Sequence, residues 1–202
     1  MTILSFISLC FLASLLELDA TYAFQTLLCR PIIAGPIFGI AIGNAMAGLQ
    51  VGIFAELLLL DISPLGGIVP PSGVVATAVP ILLYAMGIEL YFGFFLGIVA
   101  AIFYSFFDAL LRKSRFTWLI FVEKKISRQP TDIKHVIAGA LLLSFSMTFV
   151  FISVVSWVCS QLMLMLHPHL TARTHFACQL AYTAVPWIGL AGLIPAFRFK
   201  AR

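Results

Sequence analysis

The sequence predicts an all-α protein that passes through a membrane several times, and three observations carry that prediction. Of its 202 residues, 62% are hydrophobic and only 10% are charged, with a mean hydropathy of +1.10. A soluble domain carries about 25% charged residues. The apolar residues lie in long continuous runs, whereas membrane β-barrel strands alternate polarity over about 10 residues. Several runs approach the ~20 residues that a helix needs to cross the hydrocarbon core.

About six membrane segments follow in order. Thr2–Leu18 is apolar, and no basic residue precedes it. A cleavable signal begins with a positive region, so this segment is expected to be retained. Ile32–Leu60 is interrupted by Pro36, Gly39, Gly43, Gly48 and Gly52, which predicts a broken or re-entrant segment rather than one plain span. Irregular backbone at membrane depth is tolerated only where protein or a water-filled cavity covers it. Ile68–Met86 opens with Pro70, Pro71 and Gly73, so its helix is expected to begin near Val74. Leu90–Leu111 is a clean span. Val136–Leu166 is longer than a span requires and is expected to tilt, bend or protrude. Phe176–Phe197 is the last, with Pro186 and Pro195 inside it.

Charge placement divides the chain into an N-terminal membrane region (1–111), a basic loop (112–135) and a C-terminal membrane region with a basic tail (136–202). No Lys or Arg lies between Pro31 and Leu111, while seven of the twelve basic residues lie between Arg112 and Lys134. Basic clusters in short loops are held on the cytoplasmic side. Leu90–Leu111 then runs inward, Val136–Leu166 outward, and the tail carrying Arg198, Lys200 and Arg202 returns to the cytoplasm. If every earlier segment spans once, the N-terminus is cytoplasmic; a re-entrant segment inverts that. The basic stretch is accounted for as a topology signal, and no nucleic-acid partner is expected.

Glu56 is the foremost candidate for a site, because an acid surrounded by apolar sequence is rare and costly in a membrane. It suits hydrogen bonding to a polar solute such as a sugar, proton coupling, or a structural bond to a neighbouring hydroxyl or backbone group. Asn44 and Gln50 carry both donors and acceptors, which suits hydroxyl recognition and, equally, bonding between helices. Ser72, with Asp61 and Ser63, lies by the proline-rich break. Gln25 and Asp19 lie in the polar link before Arg30, which is expected to anchor at the membrane interface. Glycines 35, 39, 43, 48 and 52 place a small-residue groove on one helix face, where another helix can approach. Asp108 and Arg112 are spaced for an i,i+4 ion pair.

Other features carry less. Cys10, Cys29, Cys159 and Cys178 lack metal-ligand or disulfide spacing, and His167, His169 and His175 suit an exposed loop better than a metal site. Neither a cofactor nor a metal is expected. No zinc-protease, serine-hydrolase or phosphate-loop motif is present, so an enzyme is not expected. Thr77-Ala78-Val79-Pro80 recurs as Thr183-Ala184-Val185-Pro186, a faint echo of the repeats from which many transporters are built.

The ordered motifs Phe24-Gln25, Arg30-Pro31 followed by Gly39 and Gly43, then Gly48-Leu49-Gln50-Val51-Gly52, Glu56-Leu57, Pro64-Leu65-Gly66 and Val69-Pro70-Pro71 resemble the membrane IIC component of the mannose/sorbose-type phosphotransferase system. The resemblance covers about 60 residues, with a further likeness from Ala184 to Phe197. It implies a IIC-like sugar permease subunit of a bacterial cytoplasmic (inner) membrane. It also implies a hexose-class solute, a IID-like membrane partner, soluble IIA and IIB proteins that carry out phosphoryl transfer, and a homo- or hetero-oligomer. The implied fold pairs inverted repeats, of which this chain would hold an incomplete set, since it ends at Arg202 where a further pair of segments is expected. The resemblance carries a sugar-binding role to Glu56. Ser72-Gly73 departs from the family pattern, which commonly places an acid there. Two other readings stand beside it: a non-transporting membrane scaffold that keeps the fold, and an ion-coupled carrier.

Overall fold

The computed structural model describes residues 2–21, 25–60, 62, 69–126 and 133–198. Every regular element among the described residues is helical: α1 (Ile3–Thr21), α2 (Pro31–Ala41), α3 (Ala45–Leu59), α4 (Gly73–Ala85), α5 (Leu90–Ile126), α6 (Ile133–Leu166), a 3-10 turn at His167–His169, and α7 (Ala172–Arg198). Among the described residues, three stretches are long and apolar enough to cross a membrane: Ile3–Ala20, Leu90–Lys113 and Ile137–His169. Asp61, Ser63 and Gly66, singled out in the sequence, lie outside the described residues.

The interrupted segment Ile32–Leu60 reverses direction. Pro31 opens α2 at its first position, where a missing N–H costs nothing and the fixed φ suits a helix. α2 ends at Ile42, Gly43 follows with φ +80°, a conformation that disfavours a side chain, and Asn44 starts α3 by accepting the Ala47 N–H at 3.1 Å. The arms hold 11 and 15 residues, about 17 and 23 Å of helix, so neither spans the ~30 Å core.

The glycines explain why the arms can pack so closely. A Cβ at Gly39 would lie 2.8 Å from the Gly48 Cα, and one at Gly48 would lie 2.6 Å from the Gly39 Cα and collide with the Gly35 carbonyl. The small-residue stripe is therefore not one face awaiting a foreign helix. It is two half-stripes folded onto each other, because the chain turns at Gly43.

α4 occupies the centre. Every residue from Val74 to Leu83 is buried, as expected of a helix that is apolar all round. Its helix begins at Gly73, one residue before the position expected from the prolines. α5 packs along it, with Gly93 and Gly97 making room for Pro80. α1 lies against α6, and α7 lies against α3, where Gly189 meets Leu57. The stretch 112–135 is helical on both sides of residues 127–132, since α5 continues through Ile126 and α6 begins at Ile133.

The two Thr-Ala-Val-Pro copies sit in unlike surroundings. Thr77 is buried on α4, whereas Thr183 is exposed on α7. Along α6 and α7 large apolar side chains such as Val150, Trp157, Leu164, Trp187 and Ile188 remain exposed. Bilayer lipid would cover such a surface without energetic cost.

Candidate functional site

Four helix ends meet the middle of α5 at one end of the bundle, where α5 enters the basic stretch. α2 and α4 start side by side: a Cβ on Gly73 would lie 2.7 Å from the Pro31 ring. α3 ends beside them, and α1 and α5 complete the ring. Between them lies a cavity of about 580 Å³, lined by polar side chains of Glu17, Arg30, Glu56, Ser72, Asp108 and Arg112. Small-molecule sites usually fall between about 300 and 1,000 Å³.

Glu56 is bound from two directions. Its Oε1 lies 2.6 Å from Nη2 of Arg30, and its Oε2 accepts the Ile32 N–H at 3.4 Å. That N–H belongs to the first turn of α2, where unpaired amides and the helix dipole favour an anion. The carboxylate side chain is 12% exposed, against 51% for Arg30. Arg30 is thus not simply an interfacial anchor, as its position in the sequence suggested. It neutralises the acid that the apolar sequence left alone.

A buried acid near the end of α1 holds the turn that leads to Arg30. Asp19, buried at the end of α1, accepts both the Thr26 N–H and the Thr26 hydroxyl at 2.9 Å. This clasp holds a tight turn in which Gln25 and Leu27 adopt φ of +52° and +66°, uncommon for residues with side chains. The Arg30 N–H then bonds the Leu27 carbonyl at 3.0 Å.

Ser72, which also lines the cavity, caps α4. Its Oγ accepts the Val75 N–H at 3.2 Å and donates to Oε2 of Glu17 at 2.6 Å. On α5, Asp108 accepts from Nε of Arg112 at 2.8 Å, the i,i+4 pair that the spacing predicts.

The structure therefore brings Glu56 and Ser72 into one cavity and places the other candidates elsewhere. Asn44 caps α3 at the hairpin tip and donates to Oη of Tyr84 at 3.0 Å. Gln50 is exposed on α3 and does not line the cavity. Gln25 is exposed in the link. His175 shares a hydrogen bond of 2.8 Å with the Tyr91 hydroxyl, at the opposite end of the bundle. Glu17 was missed by the sequence reading, although the argument made for Glu56 applies to it: an acid within an apolar stretch is costly unless something uses or satisfies it.

These features define a class: a helical membrane protein with a charged cavity at the mouth of a broken hairpin. The chain belongs to the family of the sorbose-specific IIC component of the phosphotransferase system, whose family model matches residues 3–198. A stretch of 50 residues is 34% identical to the Escherichia coli (strain K12) protein named "Putative N-acetylgalactosamine permease IIC component 2", covering 25% of this chain and 38% of that protein. A solved structure titled "Structure of membrane protein" shares the fold, with a TM-score of 0.77 and 21% identity, over 98% of this chain and 81% of that one.

Proposed function

We propose that this chain is the membrane-embedded IIC-type subunit of a phosphotransferase-coupled sugar permease, holding a neutral hexose-class solute in the Glu56 cavity. Family membership over nearly the whole chain supports the reading. The observation that carries it is the Arg30–Glu56 pair on the wall of a cavity large enough for a hexose. A carboxylate already fixed by a cation and a helix N-terminus still has lone pairs for sugar hydroxyls, and its orientation is set before the solute arrives.

Phosphoryl transfer belongs in this reading to soluble IIA- and IIB-type partners, and a IID-like subunit completes the membrane complex. The setting is a bacterial cytoplasmic membrane. With the basic stretch in the cytoplasm, the cavity faces that side, the α2–α3 hairpin enters the membrane from there, and the N-terminus lies outside. A solute released from this cavity would therefore emerge where phosphocarrier proteins can meet it.

The test is hexose binding and uptake by Glu56→Gln in cells containing the whole permease. The expected result is normal membrane insertion with uptake lost. Uptake at the wild-type rate would sink the proposal. Failure of the wild type to bind any hexose would favour a scaffold, and uptake that responds to an imposed pH gradient would favour an ion-coupled carrier.

A further inference from the structure

We infer that Glu17 is the second solute-contacting carboxylate of this cavity, sharing it with Glu56 and setting which hydroxyl pattern is accepted. The inference rests on the permease reading above and adds to it a residue, a role and a test of its own.

The polar atoms that line the cavity differ in how far they are already occupied. Glu56 has both oxygens engaged, Oε1 by Arg30 and Oε2 by the Ile32 N–H. Ser72 has its hydroxyl fully committed, accepting from Val75 and donating to Glu17. Asp108 is held by Arg112, and the Ser105 hydroxyl donates to the Ile102 carbonyl at 2.8 Å. Of the three acids lining the cavity, Glu17 alone has no salt-bridge partner among the described residues. Only its Oε2 is bonded, and its Oε1 has no hydrogen-bond partner among the described residues, yet is not sealed from the cavity that the side chain lines.

A carboxyl oxygen left open in a partly buried cavity is costly unless water or a ligand hydroxyl satisfies it. The short bond from Ser72 removes the rotational freedom that would otherwise let Glu17 turn away. Ser72 is in turn fixed at the first turn of α4, the most buried helix of the molecule. Glu17 is thus a preorganised acceptor on α1, a helix of the cavity wall that does not touch the α3 carrying Glu56. Two acceptors on separate helices of one cavity can read two hydroxyls of one ring, and a site built to bond a hydroxyl discriminates strongly against an analogue lacking it. Ser72, chosen from sequence as a contact, becomes a positioning residue for Glu17.

The experiment measures hexose affinity of the purified protein, with whatever membrane partner copurifies, for wild type, Glu17→Gln and Glu17→Ala. Each is measured against a parent hexose and a panel of its monodeoxy analogues. Melting temperature and gel-filtration profile show that each variant is folded; Glu17→Gln keeps the Ser72 bond if Glu17→Ala does not fold. We expect at least a roughly tenfold loss of affinity for the parent sugar, the size of a lost charge-assisted hydrogen bond. We also expect one deoxy analogue to bind wild type and variants alike. Wild-type affinity in both variants, or an equal loss for every analogue, overturns the inference while leaving the permease reading intact. If the wild type binds no hexose, both fall.

Discussion

The guanidinium of Arg30 and the carboxylate of Glu56 meet at 2.6 Å, although one belongs to the link before α2 and the other lies near the end of α3. The pair closes the open end of the hairpin, as Gly43 and Asn44 close its tip. Removing only one partner leaves a charge in a poor solvent. Arg30→Met is therefore expected to lower stability by about 1–2 kcal/mol, less than a fully buried pair because Arg30 is half exposed. The double variant Arg30→Met/Glu56→Gln should recover part of that loss. Thermal unfolding in a fixed detergent reads the difference, and equal stability of the single and double variants would show that the pair is uncoupled.

The hairpin glycines predict a contrast between positions. Gly48→Ala puts a methyl group against the Gly35 carbonyl and the Gly39 Cα, which have no flexible side chain to move aside. The expected cost is about 1–3 kcal/mol or more. Gly139→Ala meets nothing within 4 Å and should be neutral or slightly stabilising through helix propensity. A similar melting temperature for the two variants would contradict the close packing of α2 on α3.

Asn44 should prove structural. Asn44→Ala removes the α3 cap and the bond to Tyr84 together, at about 1–2 kcal/mol. Tyr84→Phe removes only the second bond and should cost about 0.5–1.5 kcal/mol. Affinity for the solute should stay near the wild-type value in both folded variants. A selective loss of affinity with unchanged stability would instead place the hairpin tip in the binding path.

Orientation can be checked by labelling. In a background without Cys10, Cys29, Cys159 and Cys178, Thr2→Cys should react with a membrane-impermeant maleimide in intact cells. Ser127→Cys, within the basic stretch, should react only after permeabilisation. The reverse pattern would put the cavity on the outer side and remove the link between solute release and cytoplasmic phosphocarriers.

Much of the architecture was legible because it is written locally. Mean hydropathy and run length identify a helical membrane protein, and the density of glycine and proline in Ile32–Leu60 marks an interrupted segment, although Pro36 stays inside α2 and only Gly43 makes the break. The Asp108–Arg112 pair was legible for the same reason, since both residues lie one turn apart on a single helix. Glu56 stood out because its own surroundings in sequence are apolar. Glu17 escaped notice near the end of a stretch taken as an ordinary span, and Asn44 and Gln50 were grouped with Glu56 by proximity in sequence alone.

The sequence by itself determined the class of the protein, that its second membrane segment is interrupted, and the acid around which a site could form. Only the tertiary structure decided that the break is a reversal, that the glycines face one another, that Arg30 pairs with Glu56, and that Ser72 holds Glu17. Each of these depends on which helix ends meet. That is settled by how closely α2, α3 and α4 can pack once Gly35, Gly39, Gly48 and Gly73 remove the side chains between them. Composition and spacing report what a segment is made of; the distance between two segments is a property of the packed core.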